Sequence, residues 1–336
     1  MLVLNRFLDG WRWPWAVAGL AACLLMAPPV GLMAQDTPET RALAGALLRV
    51  EYALKERPPA PEAVREVNLA FDRATLAFFA GRVEEVVTAL DSLAEVVEPD
   101  AGVRARQREE AERILDGLDT KVRVLEGEHP PIPFRLHGPP AGVPGPHPVV
   151  VALHGAGGNE HMFLEAYGAG RLRELAEERG FVVISPSTTA LAMSMGALPG
   201  LLAAAEEEYA VDGARVAVLG HSMGAGAAWR LAWSFSESVG AVACIAGPCG
   251  APGEVRPGEE GLERPPLLVV AGELDPISAP PRLEAAATLG REAGLDVEYR
   301  VLSGYGHTLV VGAALEEVVD WLLARMAGAG EGPGAW

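Results

Sequence analysis

Two spacings of apolar residues divide the chain near residue 120. Before it, apolar positions recur every three or four residues. Leu43, Leu47, Val50 and Leu54 share one helical face; Val64, Val67, Phe71, Ala74 and Phe78 share a second; Val83, Val86, Val87, Leu90 and Leu93 share a third. Prolines within 58–61 separate the first two helices, and Gly81 separates the second from the third. A fourth helix is predicted over 103–118. No repeat of fixed period emerges, so residues 35–120 read as a helical accessory segment.

From residue 121 the apolar residues instead come in short continuous runs. Segments 121–125 and 132–136 predict an opening strand pair, followed by a turn rich in proline and glycine over 138–148. Buried-strand runs follow at 149–153, 181–185, 216–219, 241–245, 267–271 and 297–302. Helices are predicted between most of them, over 161–179, 198–209, 223–235 and 281–293, with a last one over 313–326. Alternating apolar strands and helices imply an α/β domain over 121–328, its mostly parallel central sheet covered by helices on both faces. Residues 329–336 read as a flexible tail. A ligand site belongs at the carboxyl ends of such strands.

Composition narrows the partners. Half of the 336 residues are hydrophobic, enough for a large core, and the formal charge is −18. Lys55 and Lys121 are the only lysines, and no basic face emerges for nucleic acid. In residues 1–34, Arg6 and Arg12 precede an apolar run that ends before Gln35 and Asp36, the pattern of an export signal. The expected location is therefore periplasmic or extracellular. The run also has the length of a membrane anchor, and Leu20-Ala21-Ala22-Cys23 resembles a bacterial lipobox, which would lipidate Cys23. Membrane attachment is expected only if that segment is retained or lipidated. Cys244 and Cys249 suit either a local disulfide or small core residues, and their spacing lacks the second half of a zinc site.

The chemistry concentrates at strand ends. Gly220-His221-Ser222-Met223-Gly224 follows a strand and opens a helix, the context of a nucleophile elbow. A serine at its ordinary pKa is a poor nucleophile and needs a base, which itself needs an orienting acid. Asp275, in Gly272-Glu273-Leu274-Asp275-Pro276, and His307, in Gly304-Tyr305-Gly306-His307, each follow a later strand, so all three fall on one sheet edge. Glu273 is the rival acid. The other histidines lie in loops (His129, His137, His147), in glycine motifs (His154, His221) or at a helix start (His161). An oxyanion requires preplaced donors. The backbone N–H of Met223 is one candidate, and that of Ala156, in the turn His154-Gly155-Ala156-Gly157-Gly158-Asn159, is the other. As a phosphate cradle this turn lacks the P-loop Lys-Ser/Thr and departs from GxGxxG.

Through HGAGGN, GHSMG, GELDP and GYGH, residues 122–326 resemble the α/β-hydrolase superfamily. The segment Val211-Asp212-Gly213-Ala214-Arg215-Val216 leading into GHSMG resembles secreted esterases of the polyhydroxybutyrate-depolymerase, feruloyl-esterase and phospholipase/carboxylesterase type. Relatives often carry Cys where Ala156 stands and Gly where Ala225 stands. The resemblance implies hydrolysis of a small-molecule or polymeric carboxylic ester through an acyl-enzyme, without a cofactor. Ser222 would attack, His307 would act as base and Asp275 would orient it. Only residues 247–266 separate two core strands, too few for a large lid, which leaves the N-terminal helices as the candidate cover. A peptidase of the prolyl-oligopeptidase type shares the triad but would bring a propeller domain. A noncatalytic binding protein on the same scaffold would not need the full residue set.

Overall fold

The computed structural model describes residues 37–249 and 264–328. The export or anchor segment at 1–34 with Cys23, the tail 329–336 and most of the 247–266 connection lie outside the described residues. Four helices come first: α1 (Pro38–Glu56), α2 (Val64–Phe79), α3 (Val83–Val97) and α4 (Ala101–Asp116). Their ends follow local chemistry. Thr37 and Thr40 form a reciprocal capping box at α1, and the Asp100 carboxylate accepts the Val103 N–H at 2.9 Å to start α4. Gly81, at φ +73°, makes the turn from α2 to α3.

Eight strands follow: β1 (Arg123–Leu125), β2 (Ile132–His137), β3 (His147–Leu153), β4 (Val182–Pro186), β5 (Val211–His221), β6 (Val239–Ile245), β7 (Leu267–Gly272) and β8 (Val297–Leu302). They form one sheet in the order β1-β2-β4-β3-β5-β6-β7-β8. The β1–β2 and β2–β4 pairs are antiparallel, and every later pair is parallel. The intervening helices are α5 (Arg171–Arg179), α6 (Thr188–Met193), α7 (Leu198–Glu206), α8 (Met223–Ser234), α9 (Pro280–Glu292) and α10 (Leu309–Gly328). Among the described residues no helix is long and apolar enough to cross a membrane.

Strand pleating sends alternate residues to two cores. Val149, Val151, Val218 and Val269 join α8 and α9 on one face. Val150, Ala152, Leu219 and Val270 join α10 on the other, and there Leu43, Leu47, Phe71, Phe78 and Leu90 of the helical segment belong to the same continuous cluster. The accessory helices therefore share a core with the sheet. Buried Glu51 of α1 accepts the Gly168 N–H at 3.2 Å, and desolvation raises its pKa to about 8. Cys244, at the end of β6, is joined to Cys249 by a disulfide.

The structure differs from the expected helix over 161–179. A single π-type turn, Met162–Ala166, is followed by Gly168, Ala169 and Gly170, all at positive φ, and only then by α5. Gly168 packs so closely on Gly312 of α10 that a Cβ there would lie 3.0 Å from the Gly312 Cα, so backbone packing overrides the apolar period. Helix α6 was not anticipated; Ser187 caps its short, mixed sequence.

Candidate functional site

Ser222 sits between β5 and α8 at φ 53° and ψ −116°, a sparsely populated positive-φ conformation that costs a non-glycine residue on the order of 1–3 kcal/mol. The flanking glycines make this turn sterically possible. A Cβ on Gly220 would lie 2.2 Å from the Gly224 carbonyl oxygen, and one on Gly224 would lie 2.1 Å from the Leu153 carbonyl oxygen. The serine hydroxyl projects toward the ends of β7 and β8.

There the structure brings the three predicted side chains together. The Ser222 Oγ lies 3.0 Å from His307 Nε2, and His307 Nδ1 lies 2.8 Å from Asp275 Oδ2. With Nδ1–H donating to the carboxylate, Nε2 is left to accept the serine O–H. Asp275 is held in turn: its Oδ1 accepts the N–H groups of Ile277 and Ser278, both at 2.8 Å. All three residues are buried, with Ser222 the most accessible at 9%. Glu273 points elsewhere. It is exposed and accepts the Ser303 hydroxyl at 2.6 Å and the Gly304 N–H at 2.7 Å, bonds that lower its pKa.

The glycine turn after β3 abuts the serine, since a Cβ on Gly155 would lie 3.3 Å from the Ser222 Cβ. Ala156 lines the same cavity as Ser222 and His307. Met223 is the first residue of α8, where a backbone N–H has no partner within its helix. Three of the competing histidines, His154, His161 and His221, are buried scaffolding whose pKa values burial lowers. His154 accepts the Thr188 N–H at 2.9 Å, and burial lowers its pKa to about 4. Burial and Arg135 lower that of His161 to about 3. Burial also lowers His221, which accepts the Tyr167 hydroxyl on Nδ1 at 2.7 Å and donates from Nε2 to the His307 carbonyl at 3.1 Å.

Three contacts at the site were not anticipated. His221 grips the His307 carbonyl, while Asn68 and Asp72 of α2 grip the same loop from the opposite side. Asn68 Oδ1 accepts the Gly306 N–H at 2.9 Å, and Asp72 Oδ1 accepts the His307 N–H at 3.0 Å. Among the described residues Asp72 Oδ2 has no hydrogen-bond partner, and desolvation raises the carboxyl pKa to about 6. A Cβ on Gly306 would lie 1.9 Å from that oxygen, so a larger residue there would have to displace the carboxylate. The available signal was two polar residues, four apart, inside the apolar stripe of α2. No cluster of three or more potential metal ligands occurs among the described residues.

With this geometry in view, the strand order defines an α/β-hydrolase fold. The structure is similar to that of an S-formylglutathione hydrolase from Agrobacterium tumefaciens, at a TM-score of 0.50 and 19% identity, over 61% of this chain and 94% of that one. It is also similar to fungal esterases from Rhizomucor miehei, at a TM-score of 0.50 and 16% identity, over 62% of this chain and 84% of that one. No family model matches the chain, and no curated protein does.

Proposed function

We propose that this protein is a serine ester hydrolase that works through an acyl-enzyme. The observation that carries the reading is the hydrogen-bonded sequence from Ser222 through His307 to Asp275 at the sharp turn of a strand end. His307 Nε2 takes the hydroxyl proton as Ser222 Oγ attacks the ester carbonyl carbon. The Ala156 and Met223 N–H groups receive the developing oxyanion. Collapse expels the alcohol, protonated by His307, and leaves an acyl group on Oγ. Water, deprotonated by His307, then attacks that acyl group, and the carboxylic acid departs as Ser222 regains its proton. Asp275 orients the imidazole and stabilises its charged form. No metal or cofactor is required by these steps. The export pattern of residues 1–34 and the Cys244–Cys249 disulfide favour an exported enzyme in an oxidising compartment.

The test uses a fluorophosphonate probe and 4-nitrophenyl esters. The protein is expected to be labelled and to turn over ester, and Ser222→Ala is expected to lose labelling and to lower kcat by on the order of 10⁵-fold or more. A folded protein that neither labels nor hydrolyses refutes the reading. Hydrolysis of peptides in preference to esters replaces it with a peptidase.

A further inference from the structure

The space beside Ser222 is walled by the helical segment as much as by the sheet. Leu47 of α1, Phe71, Ala74 and Phe78 of α2 and Leu90 of α3 face it, with Met162 among the residues from beyond β3. Together they line a partly open cavity of about 40 Å³.

The wall is also chemically plain. Among the described residues no lysine, arginine, aspartate or glutamate lines the cavity. Its hydroxyls are engaged near their own level, Tyr167 with His221 at 2.7 Å and Thr75 with Thr308 at 3.3 Å. A charged or strongly polar substituent would be desolvated there without a partner. Phe78 sets the size limit: a Cβ on Gly157 would lie 2.4 Å from its ring, so the ring rests directly on the glycine turn. An apolar pocket beside Oγ, narrowed by Phe78, suits the group that stays bonded to Ser222 between the two chemical steps, because the alcohol has to leave.

We propose, resting on the ester-hydrolase reading, that α1, α2 and α3 build the acyl site and that it takes short, neutral, unbranched, apolar acyl groups. The helical segment is then the specificity element of the enzyme, and long-chain and aromatic acids are excluded by its packed side chains.

The experiment measures kcat/KM for the 4-nitrophenyl esters of acetate, butyrate, octanoate and benzoate, with active sites titrated by fluorophosphonate. Wild-type protein is expected to favour acetate and butyrate over octanoate and benzoate by about tenfold or more. Phe78→Ala is expected to raise the octanoate-to-acetate ratio by about tenfold. Ala74→Val, which fills the cavity, is expected to lower the butyrate-to-acetate ratio and stands alone if Phe78→Ala fails to fold. Labelling and turnover with an octanoate preference, or with ratios untouched by a folded variant, overturn the acyl-site proposal and leave the hydrolase reading intact. A larger dependence on the alcohol chain of alkyl acetates than on the acyl chain overturns it as well. Absence of labelling and turnover removes the hydrolase reading itself.

Discussion

Asp275 and Asp72 reach the same histidine from the two halves of the chain, and they hold different parts of it. Asp275, at a sheet edge, binds the imidazole through Oδ2 and has its Oδ1 filled by two backbone N–H groups. Asp72, on a helix of the N-terminal segment, binds the backbone N–H through Oδ1 and leaves Oδ2 empty of hydrogen bonds among the described residues. A carboxylate filled on both oxygens is suited to sit beside a cation that forms during reaction. One that is half filled and desolvated is pushed toward its neutral form, as the rise of Asp72 to about 6 reflects. The sheet thus aims the side chain, and the helix fixes the peptide that carries it.

The largest effect should separate the carboxylates of the sheet. Asp275→Asn is expected to lower ester kcat by about 10⁴-fold, since the imidazole loses the acceptor that sets its tautomer. Glu273→Gln, whose contacts face Ser303 and Gly304, should stay within about twofold of wild type. Comparable losses in both would mean that the wrong acid has been placed beside the base.

A smaller effect tests the helix. Asp72→Ala is expected to lower kcat by about 10- to 100-fold with little change in KM, because it frees the His307 backbone without touching bound substrate. Asp72→Asn keeps an acceptor for that N–H and should restore most of the loss. Gly306→Ala places a methyl on the same carboxylate, at about 1–3 kcal/mol in unfolding free energy. In an Asp72→Ala background that cost should shrink by about 1 kcal/mol or more in a double-mutant cycle. Additive costs would show that α2 and the base loop are not mechanically joined.

A separate effect concerns stability alone. The pKa of Glu51 rises from 4.5 to about 8 on folding, so the folded chain holds that proton more tightly than the unfolded one. Its contribution is full below pH 4.5 and is lost as pH climbs through 8. Glu51→Gln, which keeps an acceptor for the Gly168 N–H, should match wild type in urea unfolding at acid pH. It should exceed wild type in alkali, by up to about 5 kcal/mol. Equal slopes against pH in the two proteins would rule out a buried, ionisable Glu51.

The parts of the molecule that were legible in sequence are those written in consecutive residues. Strand runs such as 149–153 and 267–271 are apolar on both faces because helices cover both, and the elbow announces itself by glycines that backbone contacts at 2.1–2.2 Å demand. Four helices of the N-terminal segment were also legible, because their apolar stripes have a helical period. Their use was not. Phe78 looks like any core phenylalanine, and Asn68 and Asp72 look like polar residues on an amphipathic helix. Their partners lie far along the chain, and no local rule brings them together. The break over 166–170 was missed for a related reason: it answers to Gly312, a residue of the last helix.

The hydrogen bond between Asp72 and His307 spans 235 residues, and this distance has a consequence for how activity is acquired. At ordinary rates of synthesis the helix leaves the ribosome about 10–50 s before the loop that it will hold. During that interval α2 can fold against its neighbours, while its polar pair and the wall formed by Phe71 and Phe78 await a sheet that does not yet exist. Ser222, Asp275 and His307 emerge later and in that order. The His307 loop, followed only by the last helix, docks late onto a helix made among the first, so under the proposed function activity should appear only as the fold nears completion.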